Sequence, residues 1–564
     1  MPAVPPDPTT PSSISLAPRA PYPPPLPLTP HVTGQSLYAR KGPWYDLAQT
    51  DHPGSDSSRA VTLSPPQDLT QTDSEQAQLQ RCRTIRGTLI EAGLFAPTEE
   101  AGGARFRISP TPFPLMPEEL AFFETLGDHL LAFYRALNHL YGESVRGTQP
   151  AWVAAYLDQG KPASLLEYAR AKRWRDQVPA VIRPDVIPTA DGMVITELDS
   201  VPGGIGLTAA LGTAYTDAAR ISSLVARDSS QTPHASRVTC HEIVGGPDGM
   251  VAGFDAMLRE ATGAPSGAIA IVVSDEARDY RPEMRWMAAR LRERGLDIAC
   301  VEPRDLRFTE DALWLDGAQA PRRLALIYRF FELFDLPNIP KADLILYSAK
   351  GARVAMTPPV KPALEEKLAF ALFHHPALHR FWRQTLGDES HHVLSRLFPQ
   401  TWVLDPRPIP PAGVIPELAL EGRALANFRD LADAGQKARR LVIKPSGFSE
   451  LAWGSRGVSI GHDLSQSEWA AALDQALEAF ATTPHVLQEF HKGRQFDLSY
   501  DDEACGTLVP MAGRARLSPY YFVTGGKAKL AGILATLCSL EKKVIHGMKD
   551  AIMAPCGMAV QNER

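Results

Sequence analysis

The stretch Ile182–Ser200 constrains this chain more than any other, because two β-prone runs flank Ala190-Asp191-Gly192 and carry acids at matched intervals. A three-residue loop with glycine in the left-handed third position is a recognised hairpin connection. Centring the loop on Asp191 sets a register that places Asp185 opposite Glu197 and Arg183 opposite Asp199. Side chains alternate along a strand, so all four project from one face. Two carboxylates directly opposite each other destabilise a sheet unless positive charge lies between them. A divalent cation resolves that conflict, and magnesium takes carboxylate oxygens together with substrate phosphates. Asp185, Glu197 and Asp199 are therefore candidate metal ligands. Arg183 is a candidate to hold a phosphoryl or carboxylate oxygen by paired hydrogen bonds. The alternative is a solvated hairpin with ordinary charge pairs, and a two-residue loop would put Glu197 and Asp185 on opposite faces. The loop that follows, Val201-Pro202-Gly203-Gly204-Ile205-Gly206, can bring backbone amides up to an anion.

A second constellation lies far downstream. Leu441-Val442-Ile443-Lys444-Pro445 reads as a buried strand ending in a lysine, and it runs into a loop containing Gly454-Ser455-Arg456-Gly457-Val458. A lysine so placed can set its ammonium against phosphates while the loop's amides wrap phosphate oxygens. The loop is neither a Walker A sequence nor a Rossmann glycine fingerprint. Val486-Leu487-Gln488-Glu489-Phe490 reads as a strand whose edge can offer backbone hydrogen bonds to adenine, or simply as another core strand.

The 564 residues are too many for one hydrophobic core. The first 30 residues hold 12 prolines, and turn-forming residues continue to about Gln76, so 1–76 is expected to be a disordered or extended tail. A helical region is expected over 77–180, with a strong amphipathic helix after Met116 carrying Phe123, Leu126, Leu130, Phe133, Leu137 and Leu140 inward and ending at Gly142. Segment 181–265 holds the hairpin. From 266 to 360 strand, helix and strand alternate, as in a small Rossmann-like α/β unit, with Ala268–Val273 its central strand. Residues 361–564 mix strands and helices around Lys444.

A formal net charge of -6 argues against nucleic acid as the main partner. No apolar run is long enough to span a membrane. The cysteines are scattered without close pairs, which fits the cytoplasm. His374, His375 and His379 are expected to be surface or capping histidines, since Pro376 breaks helical spacing among them. Cys240 beside His241 has the wrong geometry for a nucleophile pair on a strand.

Taken together the segments resemble the ATP-grasp superfamily. Lys444-Pro445, the Gly454–Val458 loop and Gln488-Glu489-Phe490 resemble that family's lysine strand, phosphate-covering loop and adenine hinge. Arg183-x-Asp185 followed by Glu197-x-Asp199-Ser200-Val201-Pro202-Gly203 resembles its metal motif. Here the metal motif precedes Lys444, an order that resembles the circularly permuted branch typified by glutathionylspermidine synthase. The likeness spans about 180–535. Leu364-Glu365-Glu366-Lys367 resembles the position that supplies a second phosphate lysine, Lys367. Two positions depart from the family pattern: Asp199 stands where asparagine is usual, and Gln495 where glutamate is frequent.

The resemblance implies an α/β protein with a circularly permuted ATP-grasp fold that uses ATP and Mg2+. The implied reaction activates a small-molecule carboxylate as an acyl phosphate and joins it to an amine. In it Arg183 acts at the transferring group, Asp185, Glu197 and Asp199 hold magnesium, and Lys367, Lys444, Gly454, Ser455, Arg456, Gly457, Gln488, Glu489 and Phe490 bind the nucleotide. A non-catalytic ATP-binding scaffold and a phosphotransferase are the competing classes. Arg514, Arg516 and Tyr520 are further candidates to line the acceptor site.

Overall fold

The computed structural model describes residues 69–98, 103–228, 241–263, 267–316, 320–410, 413–452, 454, 456–542, 544–547 and 549–559. The tail expected over 1–76 lies outside the described residues as far as residue 68. From Leu69 the chain is helical (α1, Leu69–Glu91), so helix begins inside the segment assigned to the tail. Further along the helix Cys82, Ile85 and Leu89 are buried at helical spacing.

A short strand, β1 (Phe113–Leu115), leads into α2 (Pro117–Arg146). Pro117 suits the first turn, and the Glu119 carboxylate accepts the Met116 N–H at 3.1 Å. Phe123, Leu126, Leu130, Phe133, Leu137 and Leu140 are all fully buried. The helix does not stop at Gly142: it runs one further turn, and Gly147, at φ 81°, closes it. Glycine inside a helix costs only about 1 kcal/mol, so it need not end one. At Gly127 a Cβ would stand 2.5 Å from the Tyr521 ring and 2.6 Å from the Ala528 carbonyl oxygen, so the helix packs backbone-close against the C-terminal strands. Next come α3 (Ala151–Asp158), α4 (Ala163–Ala169), the hairpin β2 (Val181–Thr189) and β3 (Gly192–Asp199), α5 (Ile205–Asp228), β4 (His241–Ile243) and α6 (Gly249–Thr262).

β5 (Ala268–Val273) is buried along its whole length, as expected of a parallel strand covered on both faces. α7 (Arg281–Glu293) crosses to β6 (Ile298–Val301), which pairs parallel with β5. β7 (Leu306–Phe308) and β8 (Leu313–Leu315) precede β9 (Arg322–Phe330), which pairs parallel with the other side of β5. α8 (Ala342–Lys350) and β10 (Ala355–Thr357), parallel to β9, complete this unit.

α9 (Leu368–His374) and α10 (His379–Leu397) then lead to β11 (Thr401–Val403) and a short ribbon, β12 (Ala419–Leu420) with β13 (Arg423–Ala424). β14 (Leu441–Pro445), β15 (Ser459–Ile460), α11 (Gln466–Glu478) and β16 (His485–Glu489) follow. Ser465 opens α11 with a reciprocal cap to Glu468. The four strands here are ordered β11-β16-β14-β15.

The chain ends in β17 (Gln495–Asp502), β18 (Thr507–Thr524), β19 (Lys527–Ser539) and β20 (Ile552–Ala559). These build the largest sheet, ordered β1-β20-β19-β18-β2-β3, with β17 also on β18 and β4 on β20. The early hairpin is therefore an outer pair of a sheet whose centre comes from the end of the chain. No helix among the described residues is long and apolar enough to cross a membrane.

Candidate active site

The site begins with the hairpin. Asp185 pairs with Glu197 and Arg183 with Asp199, as the sequence suggests, but the turn is not the one expected. Thr189 pairs with Gly192, which leaves a two-residue loop, Ala190-Asp191. Left alone, that loop would put Thr196 opposite Asp185. A bulge at Thr196 inserts one residue into β3 and restores the register beyond it. The bulge also has a chemical use: the Thr196 carbonyl accepts from Lys444 Nζ at 3.2 Å, and its hydroxyl donates to the Asp185 carbonyl at 3.3 Å.

Cations supplied by the chain stand between the carboxylates. Arg183 lies 3.3 Å from Asp185 and 3.1 Å from Asp199, and it also donates to the Gly203 carbonyl. From the adjacent β18, Arg516 Nη1 reaches Asp185 Oδ2 and Ser518 Oγ reaches Asp185 Oδ1, both at 3.1 Å. Lys367 Nζ lies 2.6 Å from Glu197 Oε1. Burial alone would raise Asp185, but Arg183 first, then Arg516, Ser518 and Lys444, hold its carboxyl below the usual range. Asp199 goes the other way: burial raises it, aided by Glu197 and Asp185, against Arg183 and the Val201 amide. With these cations interposed, no three His, Cys, Asp or Glu side chains among the described residues stand together at metal-ligand spacing.

Both lysines arrive where the sequence places them. Lys444 ends β14, half-buried, and donates to Gln488 Oε1 at 2.8 Å as well as to Thr196. Burial, assisted by Lys367, lowers its ammonium to about 8 against the pull of Glu197 and Asp185. Lys367 precedes α9 and donates to the Ala452 carbonyl at 2.8 Å, at the base of the glycine loop. Ser446 stitches the two lysine segments together: its carbonyl accepts the Lys367 N–H, and its hydroxyl accepts from Leu368 N–H and donates to Glu366. Glu366 in turn forms a fully buried ion pair with Lys161, 2.5 Å apart.

The remaining nucleotide candidates divide. Gln488 is buried and serves as the acceptor that orients Lys444. The expectation that β16 offers an edge to adenine is corrected, because β16 is an inner strand between β11 and β14. The amides of Glu489 and Phe490 are spent on the Gln400 and Arg440 carbonyls, both at 2.9 Å. In the glycine loop, Gly454 takes a left-handed φ of 64°, Gly457 N–H donates to the Leu451 carbonyl, and Arg456 Nη1 lies 3.1 Å from Glu276 of the parallel unit. Ser455 lies outside the described residues. Gln495 is exposed at the start of β17 and donates to Asp497.

The amides of the 201–206 loop do meet an anion, but it belongs to the chain. Gly204 and Leu207 donate to the Glu283 carboxylate at 2.7 and 2.9 Å, which caps the start of α5. Burial pushes Glu283 up to about 7 despite those amides. Tyr520 donates to the Gly203 carbonyl at 2.7 Å, whereas Arg514 turns to the Leu540 carbonyl.

Several residues at the site escaped the sequence reading. Arg329 is fully buried at the end of β9, donating to Glu365 and to the carbonyls of Phe331, Pro358 and Pro359. Glu332, just beyond, is pushed up to about 8 by burial, Glu365 and Asp199. A carboxylate immediately after a buried parallel strand was the available signal. Lys161 gave none. The histidines behave as expected: His374 Nε2 contacts the Phe398 carbonyl at 3.1 Å, and His379 contacts the His374 carbonyl.

The sheets and helices define a mixed α/β protein. The chain shares that fold with a glutathione synthetase-like effector from Globodera pallida, solved in its apo form (TM-score 0.51, 11% identity, covering 86% of this chain and 97% of that one). A Methylobacillus flagellatus protein provisionally described as a gamma-glutamylcysteine synthetase also matches, at TM-score 0.37 and 11% identity, over 78% of this chain and 87% of that one. No protein-family model matches the sequence, and no curated protein matches it.

Proposed function

We propose that this chain is an ATP- and magnesium-dependent carboxylate–amine ligase with a circularly permuted ATP-grasp core. In this reading 181–265 is the metal-binding arm, 266–360 the small α/β domain and 361–564 the nucleotide-binding lobes. The observation that carries it is the convergence of Lys444 and Lys367, from separate segments, on Thr196 and Glu197 beside Arg183. Fixed cations around an acidic hairpin suit phosphoryl transfer, which needs charge neutralisation and alignment rather than an enzyme nucleophile. The effector's likeness to glutathione synthetase points the same way.

The donor set fits magnesium, which commonly takes one or two carboxylates and completes its shell with water and phosphate. Glu197 and Asp199 are partly exposed and would hold the ion, with Asp199 also bonded to Arg183 and the Val201 amide, whereas Asp185 is buried and fixes Arg183 behind them. Bound there, the ion would neutralise phosphate charge. Lys444 and Lys367 bind terminal phosphate oxygens of ATP. The substrate carboxylate oxygen attacks the γ-phosphorus, the bond to the bridging oxygen breaks, and ADP leaves. Arg183 steadies the transferring group, and the 446–457 loop excludes water from the acyl phosphate. An amine then attacks the acyl carbon, its C–O bond to phosphate breaks, and the nitrogen's proton leaves with the departing phosphate, giving an amide.

One observation favours a scaffold instead: Arg183, Arg516 and Lys367 already neutralise the hairpin carboxylates. Incubation with ATP, magnesium and a panel of amino acids and amines separates the readings. The ligase releases ADP and phosphate in step with a new amide, whereas ATP binding without turnover of any acid favours the scaffold.

A further inference from the structure

We propose that the groove between the C-terminal half of α2, the end of α4 and residues 361–364 is a second ligand site, taking a small organic oxyanion with an apolar portion. This inference does not depend on the ligase reading. The groove has a volume of about 480 Å³, within the range of small-molecule sites, and Arg135, Arg175 and Lys361 line it beside Tyr141, Val145 and Leu364.

Lys361 is the centre of the argument. It is 7% exposed, and its ammonium donates only to uncharged oxygens: the Arg175 carbonyl at 2.9 Å and the Asn138 side chain. Arg135 likewise donates to a carbonyl, that of Gly526 at 3.1 Å. Other charges nearby are accounted for. Arg146 pairs with Glu143 and Arg170 with Asp158, His139 lies 3.9 Å from Glu143, and Asp176 is an exposed acid on the rim. A buried ammonium without a carboxylate in hydrogen-bond contact is costly, and burial accordingly lowers Lys361 to about 8, with Asp176 acting against it. An oxyanion between Lys361 and the arginines would relieve that cost, and arginine forks match phosphate and carboxylate geometry. Val145, 40% exposed, and the Tyr141 ring offer an apolar wall for the rest of the molecule.

Position gives the groove a consequence. From Lys361 the chain passes through the wall residues Ala363 and Leu364 directly into Glu365, Glu366 and Lys367, which bind Arg329, Lys161 and Glu197. An occupant braces the segment that carries the Lys367 ammonium.

The test is calorimetry at low salt with phenyl phosphate on the full chain, comparing wild type, Arg135→Ser/Arg175→Ser and Lys444→Ala. Both arginines are exposed, so the double variant should keep its melting temperature, which avoids the folding risk of replacing Lys361. The expected result is binding to wild type and to Lys444→Ala alike, weakened about tenfold or more in the double variant. Inorganic phosphate should bind more weakly than phenyl phosphate. No binding to wild type, unchanged binding in the double variant, or loss in Lys444→Ala alone would overturn the site. Equal affinity for the two phosphates would overturn its apolar portion.

Discussion

Lys444 carries much of the account at the scale of single residues, because its ammonium sits where burial and Lys367 make it easy to lose. With the group lowered to about 8, it is charged below that pH and neutral above. Affinity for a non-hydrolysable ATP analogue should therefore fall as pH rises through about 8, by roughly tenfold, the worth of one charge-assisted hydrogen bond. Lys444→Arg should abolish that inflection, since guanidinium does not titrate there. An identical pH profile in both proteins would remove Lys444 from the phosphate contacts. The buried Lys161–Glu366 pair makes a different kind of prediction. Glu366→Gln leaves the Lys161 ammonium uncompensated and should cost about 3–5 kcal/mol in denaturant unfolding, whereas the double change Lys161→Met/Glu366→Leu should recover much of the loss. If the single change is neutral, the pair is not what ties the Lys367 segment to the fold.

Among the elements, the hairpin shows why a correct pairing can rest on an incomplete reason. Centring a three-residue loop on Asp191 faced Asp185 with Glu197, but turn length alone did not set that register. The Thr196 bulge did, and a bulge leaves no mark in local propensity. Deleting Thr196 should leave Asp185 opposite Glu197, because the two-residue loop is then in phase with the functional end. The deletion removes the carbonyl that accepts from Lys444 and the hydroxyl that donates to the Asp185 carbonyl. The expectation is a folded protein with analogue affinity reduced by about tenfold, measured by calorimetry alongside a melting curve; unchanged affinity would make the bulge incidental. Other elements were legible for plain reasons. Ala268–Val273 and Leu441–Ile443 are continuous apolar runs, and α2 carries its stripe at helical spacing. What stayed hidden was partnership across distance. Nothing near Gly204 announces that Glu283 will take its amide, and nothing in Val486–Phe490 says that β16 will be an inner strand. Arg516 was visible as a basic residue, but its contact with Asp185 depends on β18 pairing with β2.

On the scale of the whole molecule, three sheets meet around the two lysines: the hairpin's sheet supplies the carboxylates, β14 supplies Lys444, and the parallel unit supplies Arg329 and Glu332. The glycine loop touches the parallel unit through Arg456 and Glu276. Glu276→Lys should place like charges there and raise the KM for ATP severalfold with the melting temperature unchanged; an unaltered KM would mean the contact does not position the loop. The central claim is that the hairpin carboxylates and the two lysines act together on ATP. It is tested most directly by comparing magnesium-dependent release of ADP, with its coupled amide, in wild type and Glu197→Ala. The account predicts a folded variant whose turnover is lowered by roughly 100-fold or more. Wild-type turnover in Glu197→Ala would contradict it.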